Sequence, residues 1–132
     1  MQSRLSAVRL AAAAAAVTFA AACSSSTSPS STPTGDVTIV PNASTMTTGA
    51  FTPNPFSKSL ATSGKVTWVN ADVTTGPYGG GTQHHMVSDN GVFDLGVMNP
   101  QQTVSFTFTA AGNYPYHCAI HPNMVGTITI TP

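Results

Sequence analysis

Cys118, His121 and Met124 follow one another at three-residue steps near the end of this 132-residue chain. Together they offer a thiolate, an imidazole and a thioether. Two soft sulfur donors beside one borderline nitrogen favour copper over the other common protein metals. Zinc takes Cys and His readily but rarely a thioether. Calcium and magnesium demand oxygen donors and are excluded. Cys118 is also the sole cysteine downstream of Cys23. In an oxidising compartment it therefore has no intramolecular disulfide partner within the domain, and a metal is the occupation that best explains it.

The elements that must position these donors read as strands. Short runs rich in Val, Ile, Thr and Phe alternate with Gly, Pro, Asn and Asp, and no helical period follows residue 36. The pattern predicts an all-β sandwich or barrel of about seven to eight strands. Strands are expected at residues 37–40, 65–70, 84–88, 102–109, 112–118 and 126–131, with less regular ones at 56–61 and 93–97. Alternation assigns the inward faces. Val66 and Trp68 face the core, as do Val104, Phe106 and Phe108. Cys118 shares a face with Tyr114 and Tyr116, so its thiol points inward at a strand end and His117 points outward. The turn 119–125 must then fold His121 and Met124 back toward the sulfur. Pro122 restricts that turn and biases His121 away from helical geometry.

Three donors leave such a copper site one histidine short, and the candidates are His84, His85 and the outward His117. With His84 inward, Met86 and Ser88 share its face and Asp89 turns to solvent. With His85 inward, Asp89 would face the core, where an unpaired carboxylate is costly. Parity favours His84 and keeps His85 as the alternative.

From Asp36 to Pro132 the chain resembles a cupredoxin of the amicyanin and plastocyanin-like type. The resemblance rests on Val66-Thr67-Trp68-Val69-Asn70, the histidine segment before Ser88-Asp89-Asn90-Gly91, Phe106-Thr107-Phe108, Gly112-Asn113-Tyr114, and Cys118-x-x-His121-x-x-Met124. It implies a Greek-key β-sandwich. It also implies one copper ion held by His84, Cys118 and His121 in a plane, with Met124 as a long axial ligand. Counting back from Asp89 places the family's upstream ligand at His84. The residue after that ligand is often Asn or Thr, bracing the cysteine loop; here it is His85, so an altered brace is expected. Tyr114 resembles the tyrosine corner of such sandwiches. Residues 72–83 are longer than the usual turn at this point and read as a tolerated insertion rather than a docking loop.

The function implied is outer-sphere transfer of single electrons between redox proteins, with His121 as the exit route and no catalysis. The His-Cys-His signature of multicopper oxidases is absent. The serious alternative is a periplasmic copper carrier or storage protein, although Met46 and Met98 lack ligand-like neighbours in sequence.

The N-terminal third has a different character. Arg4 and Arg9 precede an alanine-rich apolar run at residues 10–22, too short to span a bilayer and followed by small residues, as in a secretory signal. Ala20-Ala21-Ala22-Cys23 resembles a bacterial lipobox, with Ala20 where Leu is usual. Residues 1–22 are thus expected to be a signal peptide, Cys23 to be lipidated, and 23–35 to form a Ser/Thr/Pro-rich tether. An ordinary signal leaving a free Cys23 is the competing reading. The domain 36–132 would then be displayed from a membrane surface, periplasmic or cell-surface, as a monomer. Its two lysines against four aspartates leave a formal charge of −2 with no basic stripe, which excludes nucleic acid as a partner.

Overall fold

The computed structural model describes residues 33–73 and 80–132. The expected signal peptide, Cys23 and residues 23–32 of the tether lie outside the described residues.

Among the described residues, nine strands form two packed sheets. They are β1 (Val37–Ile39), β2 (Phe51–Thr52), β3 (Phe56–Ser59), β4 (Lys65–Asn70), β5 (His84–Ser88), β6 (Asp94–Met98), β7 (Thr103–Thr107), β8 (Gly112–Cys118) and β9 (Val125–Thr131). One sheet runs β2-β1-β4-β7 and the other β3-β9-β8-β5-β6. A single 3-10 turn at Ala43–Thr45 is the only helical element among the described residues. The all-β sandwich read from composition and alternation is the observed fold.

The count exceeds the expectation because β2 is two residues long and carries no period. A two-residue strand cannot show alternation; only its pairing with β1, Thr38 to Thr52 and Ile39 to Phe51, defines it. The two less regular candidates are both strands, β3 pairing parallel to β9 and β6 antiparallel to β5.

The inward faces follow the alternation. Val66, Trp68, Tyr116 and Cys118 are fully or almost fully buried, and Phe108 is buried just beyond the end of β7. Tyr116 sits among Phe51, Trp68 and Phe93, with ring centroids at 4.8, 6.0 and 6.0 Å. Tilted and edge-on packing of this kind is the favoured aromatic arrangement. Tyr116 also lies opposite Gly126 on β9, so close that a Cβ there would approach its ring carbon Cζ to 2.4 Å. Glycine at 126 is thus what lets the ring lie across the neighbouring strand. The Tyr114 hydroxyl donates to the Ala110 carbonyl at 2.8 Å, the expected corner bond.

For the site, what matters is that β8 lies between β5 and β9. The β5–β8 register pairs Met86 with Cys118, so the start of β5 and the end of β8 meet at one end of the sandwich. The β8–β9 hairpin closes beyond its last pair, His117 and Val125, through the loop 119–124 at that same end.

Candidate metal centre

The site is built from one strand start, one strand end and one hairpin loop. Alternation along β5 buries His84, Met86 and Ser88 and turns His85 outward. Cys118 ends β8 with its side chain fully buried. Its Sγ lies 3.8 Å from Nδ1 of His84 and 3.8 Å from Nδ1 of His121. The three donor atoms lie within 4.8 Å of one another, a grouping able to hold a single metal ion. The spacing suits that role. An ion about 2.3 Å from a thiolate and about 2.0 Å from an imidazole nitrogen holds them roughly 3.7 Å apart at a trigonal angle. The His84 and His121 rings are tilted at 59° with centroids 5.1 Å apart.

Backbone hydrogen bonds fix the loop. Cys118 N–H donates to the Met124 carbonyl at 3.0 Å, and Met124 N–H donates to the His121 carbonyl at 3.0 Å. Ala119 N–H donates to the His85 carbonyl at 2.7 Å, tying the loop to β5. Met124 is fully buried at the end of this loop, while Ala119, Ile120, Pro122 and Asn123 are exposed. His121 is half-buried and is the member of the group that solvent reaches.

Electrostatics prepare the sulfur. Burial pushes the Cys118 thiol up, but the His84 ring and the backbone N–H groups of His85 and His121 outweigh it and bring the group to about 6. The His85 N–H lies 3.4 Å from Sγ. A thiolate at neutral pH is the form that binds metal. At His84, burial works against protonation. Hydrogen bonds to Cys118 and Asp72, with their negative charge, prevail and raise its proton affinity above the usual histidine value.

His85 behaves differently from the expected altered brace. Its side chain points away from the sulfur and pairs with Asp94 on β6, while its backbone N–H and carbonyl both serve the cysteine loop. The brace therefore runs through the main chain, where residue type is free to vary. Asp94 also accepts the Gly96 N–H at 2.9 Å, and that bond together with His85 holds its carboxyl below the usual range. His117 lies on the outer face, its Nδ1 2.6 Å from Asp89, and is not part of the group.

Asp72 was not foreseen as part of the site. The segment 72–83 reads as an insertion in the sequence, yet its first residue is buried with Oδ2 3.0 Å from Nε2 of His84. Residues 74–79 lie outside the described residues; Val73 and Gly81 bridge across them. A faint signal existed in the sequence, since Asp72 is one of only four acidic residues in the whole chain.

No family model and no curated protein matches the chain. Solved structures do. A purple cupredoxin from Nitrosopumilus maritimus is similar over 74% of this chain and 100% of its own, at 23% identity and a TM-score of 0.60. A Cu-containing nitrite reductase from Thermus scotoductus SA-01 is similar at 27% identity and a TM-score of 0.52, over 62% of this chain but only 20% of the enzyme. A reduced Cu(I) amicyanin variant aligns at 31% identity over 52% of this chain and 63% of its own, with a TM-score of 0.43, too low to count toward the fold. The sandwich is thus a cupredoxin-like fold, with a cluster of His84, Cys118 and His121 at one end.

Proposed function

We propose that the domain is a type 1 copper protein that carries single electrons between redox partners, and that His84, Cys118, His121 and Met124 would hold the copper. The observation that carries this reading is the convergence of one depressed thiol and two imidazole nitrogens at 3.8 Å, with His84 and Cys118 anchored on strands and His121 on a hydrogen-bonded hairpin loop. A thiolate and two imidazoles, with a thioether at the end of the same loop, match the donor preferences of copper. Copper, when bound, supplies a one-electron couple.

The chain's own residues do the rest. The β5–β8 ladder holds His84 and Cys118 in fixed register, and the loop hydrogen bonds hold His121 and Met124 in place, so the donor set has little freedom to rearrange. Burial of Cys118, His84 and Met124 keeps water from the sulfur side. His121, at the exposed end among uncharged residues, is the route by which an electron leaves or enters. A small uncharged patch suits brief encounters between proteins. The likeness to a fifth of a copper nitrite reductase concerns the fold of one domain, and we read this chain as a carrier rather than an enzyme. The N-terminal segment supports export and anchoring through a lipidated Cys23, placing the domain in the periplasm or at the cell surface.

Titration of the chain with Cu(II) is expected to produce an intense blue thiolate-to-copper band that cycles on reduction and reoxidation. Cys118→Ser and His84→Ala abolish it, and His85→Ala leaves it. A colourless, non-cycling complex of wild-type protein would favour a copper carrier instead. Loss of colour in His85→Ala alone would move the upstream ligand by one residue.

A further inference from the structure

The buried carboxylate beside the metal centre has no role in the reading above. Asp72 is 1% exposed, whereas Asp36 is half-buried and Asp89 and Asp94 are exposed. Every polar group of Asp72 is engaged. Oδ1 accepts the backbone N–H of Asn42 at 2.7 Å, and Oδ2 meets His84 Nε2 at 3.0 Å. Its own N–H donates to Asn70 Oδ1 at 3.0 Å, and its carbonyl accepts the Thr82 N–H at 3.0 Å. The Asn70 carboxamide is itself buried and donates to the Thr82 and Met98 carbonyls. Among the described residues Asp72 pairs with no lysine; its ion-pair partner is His84, while Lys58 is held by Asp36.

Burying a carboxylate is costly unless charge and hydrogen bonds compensate it. Two donors supply part of that compensation, and a metal ion held at Nδ1 of His84 would add a positive charge on the far side of the same ring. A carboxylate facing Nε2 also selects the tautomer. In the neutral ring, the 3.0 Å contact from Nε2 to Asp72 against 3.8 Å from Nδ1 to the sulfur favours the proton on Nε2, which leaves Nδ1 free to hold a metal.

We propose that Asp72 is a positioning residue of the metal centre, fixing His84 as the Nε2–H tautomer and placing a buried negative charge that favours Cu(II) over Cu(I). The proposal rests on the copper reading for its redox half and on the hydrogen-bond geometry alone for its tautomer half. The attraction between a fixed negative charge and a bound cation doubles when that cation carries two charges instead of one. Removing the charge while keeping the acceptor therefore weakens Cu(II) binding more than Cu(I) binding. A purely structural Asp72, serving only to cap Asn42 and shape the start of the 72–83 segment, predicts no such difference.

Asp72→Asn separates the two roles, because a carboxamide oxygen still accepts a hydrogen bond but carries no charge. In the full chain loaded with copper, the Cu(II)-to-Cu(I) affinity ratio is expected to fall at least tenfold in Asp72→Asn. Voltammetry would read that as a rise of about 59 mV or more in reduction potential. In metal-free wild-type protein with the ring neutral, ring-nitrogen NMR is expected to show His84 protonated at Nε2. An unchanged or lowered potential in a folded, blue Asp72→Asn protein overturns the charge assignment. A His84 ring protonated at Nδ1 in wild-type protein overturns the tautomer assignment, and this readout decides that half even if the variant fails to fold. Absence of a blue band in wild-type protein overturns the copper reading and the redox half together, while an Nε2-protonated His84 would still support the tautomer half.

Discussion

At the scale of single residues, the site turns on opposing forces at one sulfur. Burial favours the neutral thiol of Cys118, and the adjoining imidazole and main-chain N–H groups favour the thiolate. The second set prevails, so the sulfur is ready for metal at neutral pH instead of needing to lose a proton as an ordinary thiol does. The direction is testable without any metal. In metal-free protein the ultraviolet absorbance of the thiolate is expected to rise as pH increases through about 6, and to be absent in Cys118→Ser. A midpoint in the usual thiol range, near 8.5, or above it would show that the neighbouring groups do not outweigh burial. His84 shows the same balance with the opposite charge: burial resists charging the ring, and Cys118 and Asp72 reward it.

At the scale of elements, the β8–β9 hairpin is the part that converts strand geometry into site geometry. Its ladder runs through six residue pairs from Gly112–Ile130 to His117–Val125, with the ligand loop at its open end. Tyr116 and Gly126 are one of these pairs, and the close approach of the ring to Gly126 sets how β9 leaves the loop, two residues after Met124. Gly126→Ala forces the Tyr116 ring or the strand to move. Overpacking of this kind costs about 1–3 kcal/mol, and denaturant unfolding is expected to show that loss. A change below about 0.5 kcal/mol, the ordinary range of surface substitutions, would mean that the hairpin yields easily. Asn54 adds a second hold on the same strand, its carboxamide donating to the Val125 carbonyl and accepting the Thr127 N–H.

At the scale of the whole molecule, low charge and one-ended placement of the site act together. Six charged side chains across residues 36–132 leave little field for long-range steering. In the proposed carrier, partner encounter at the His121 end would then be governed by shape and apolar contact, with Ile120 45% exposed beside it. The proposed anchor would serve such a carrier by holding it near partners in the membrane. Cys23→Ser is expected to move the protein from the membrane fraction to the soluble fraction. A variant that still partitions with membranes would refute the lipid anchor.

Much of this was legible in the chain because period-two alternation is a local property. Cys118, Tyr116 and Tyr114 declare one face by spacing alone, and the exclusion of Asp89 from the core points His84 inward by the same logic. Donor softness, also local, names the metal. What spacing cannot express is register between strands distant in sequence. That Met86 lies opposite Cys118, which brings His84 within reach of the sulfur, is decided by the β5–β8 ladder. The two-residue β2 exists only through its partner. Asp72 is the sharpest case: by sequence it opens an overlong loop, and twelve residues separate it from His84. Only the packed sandwich, by removing water from around its carboxylate and turning it onto the Nε2 side of the imidazole, makes it a neighbour of the metal centre.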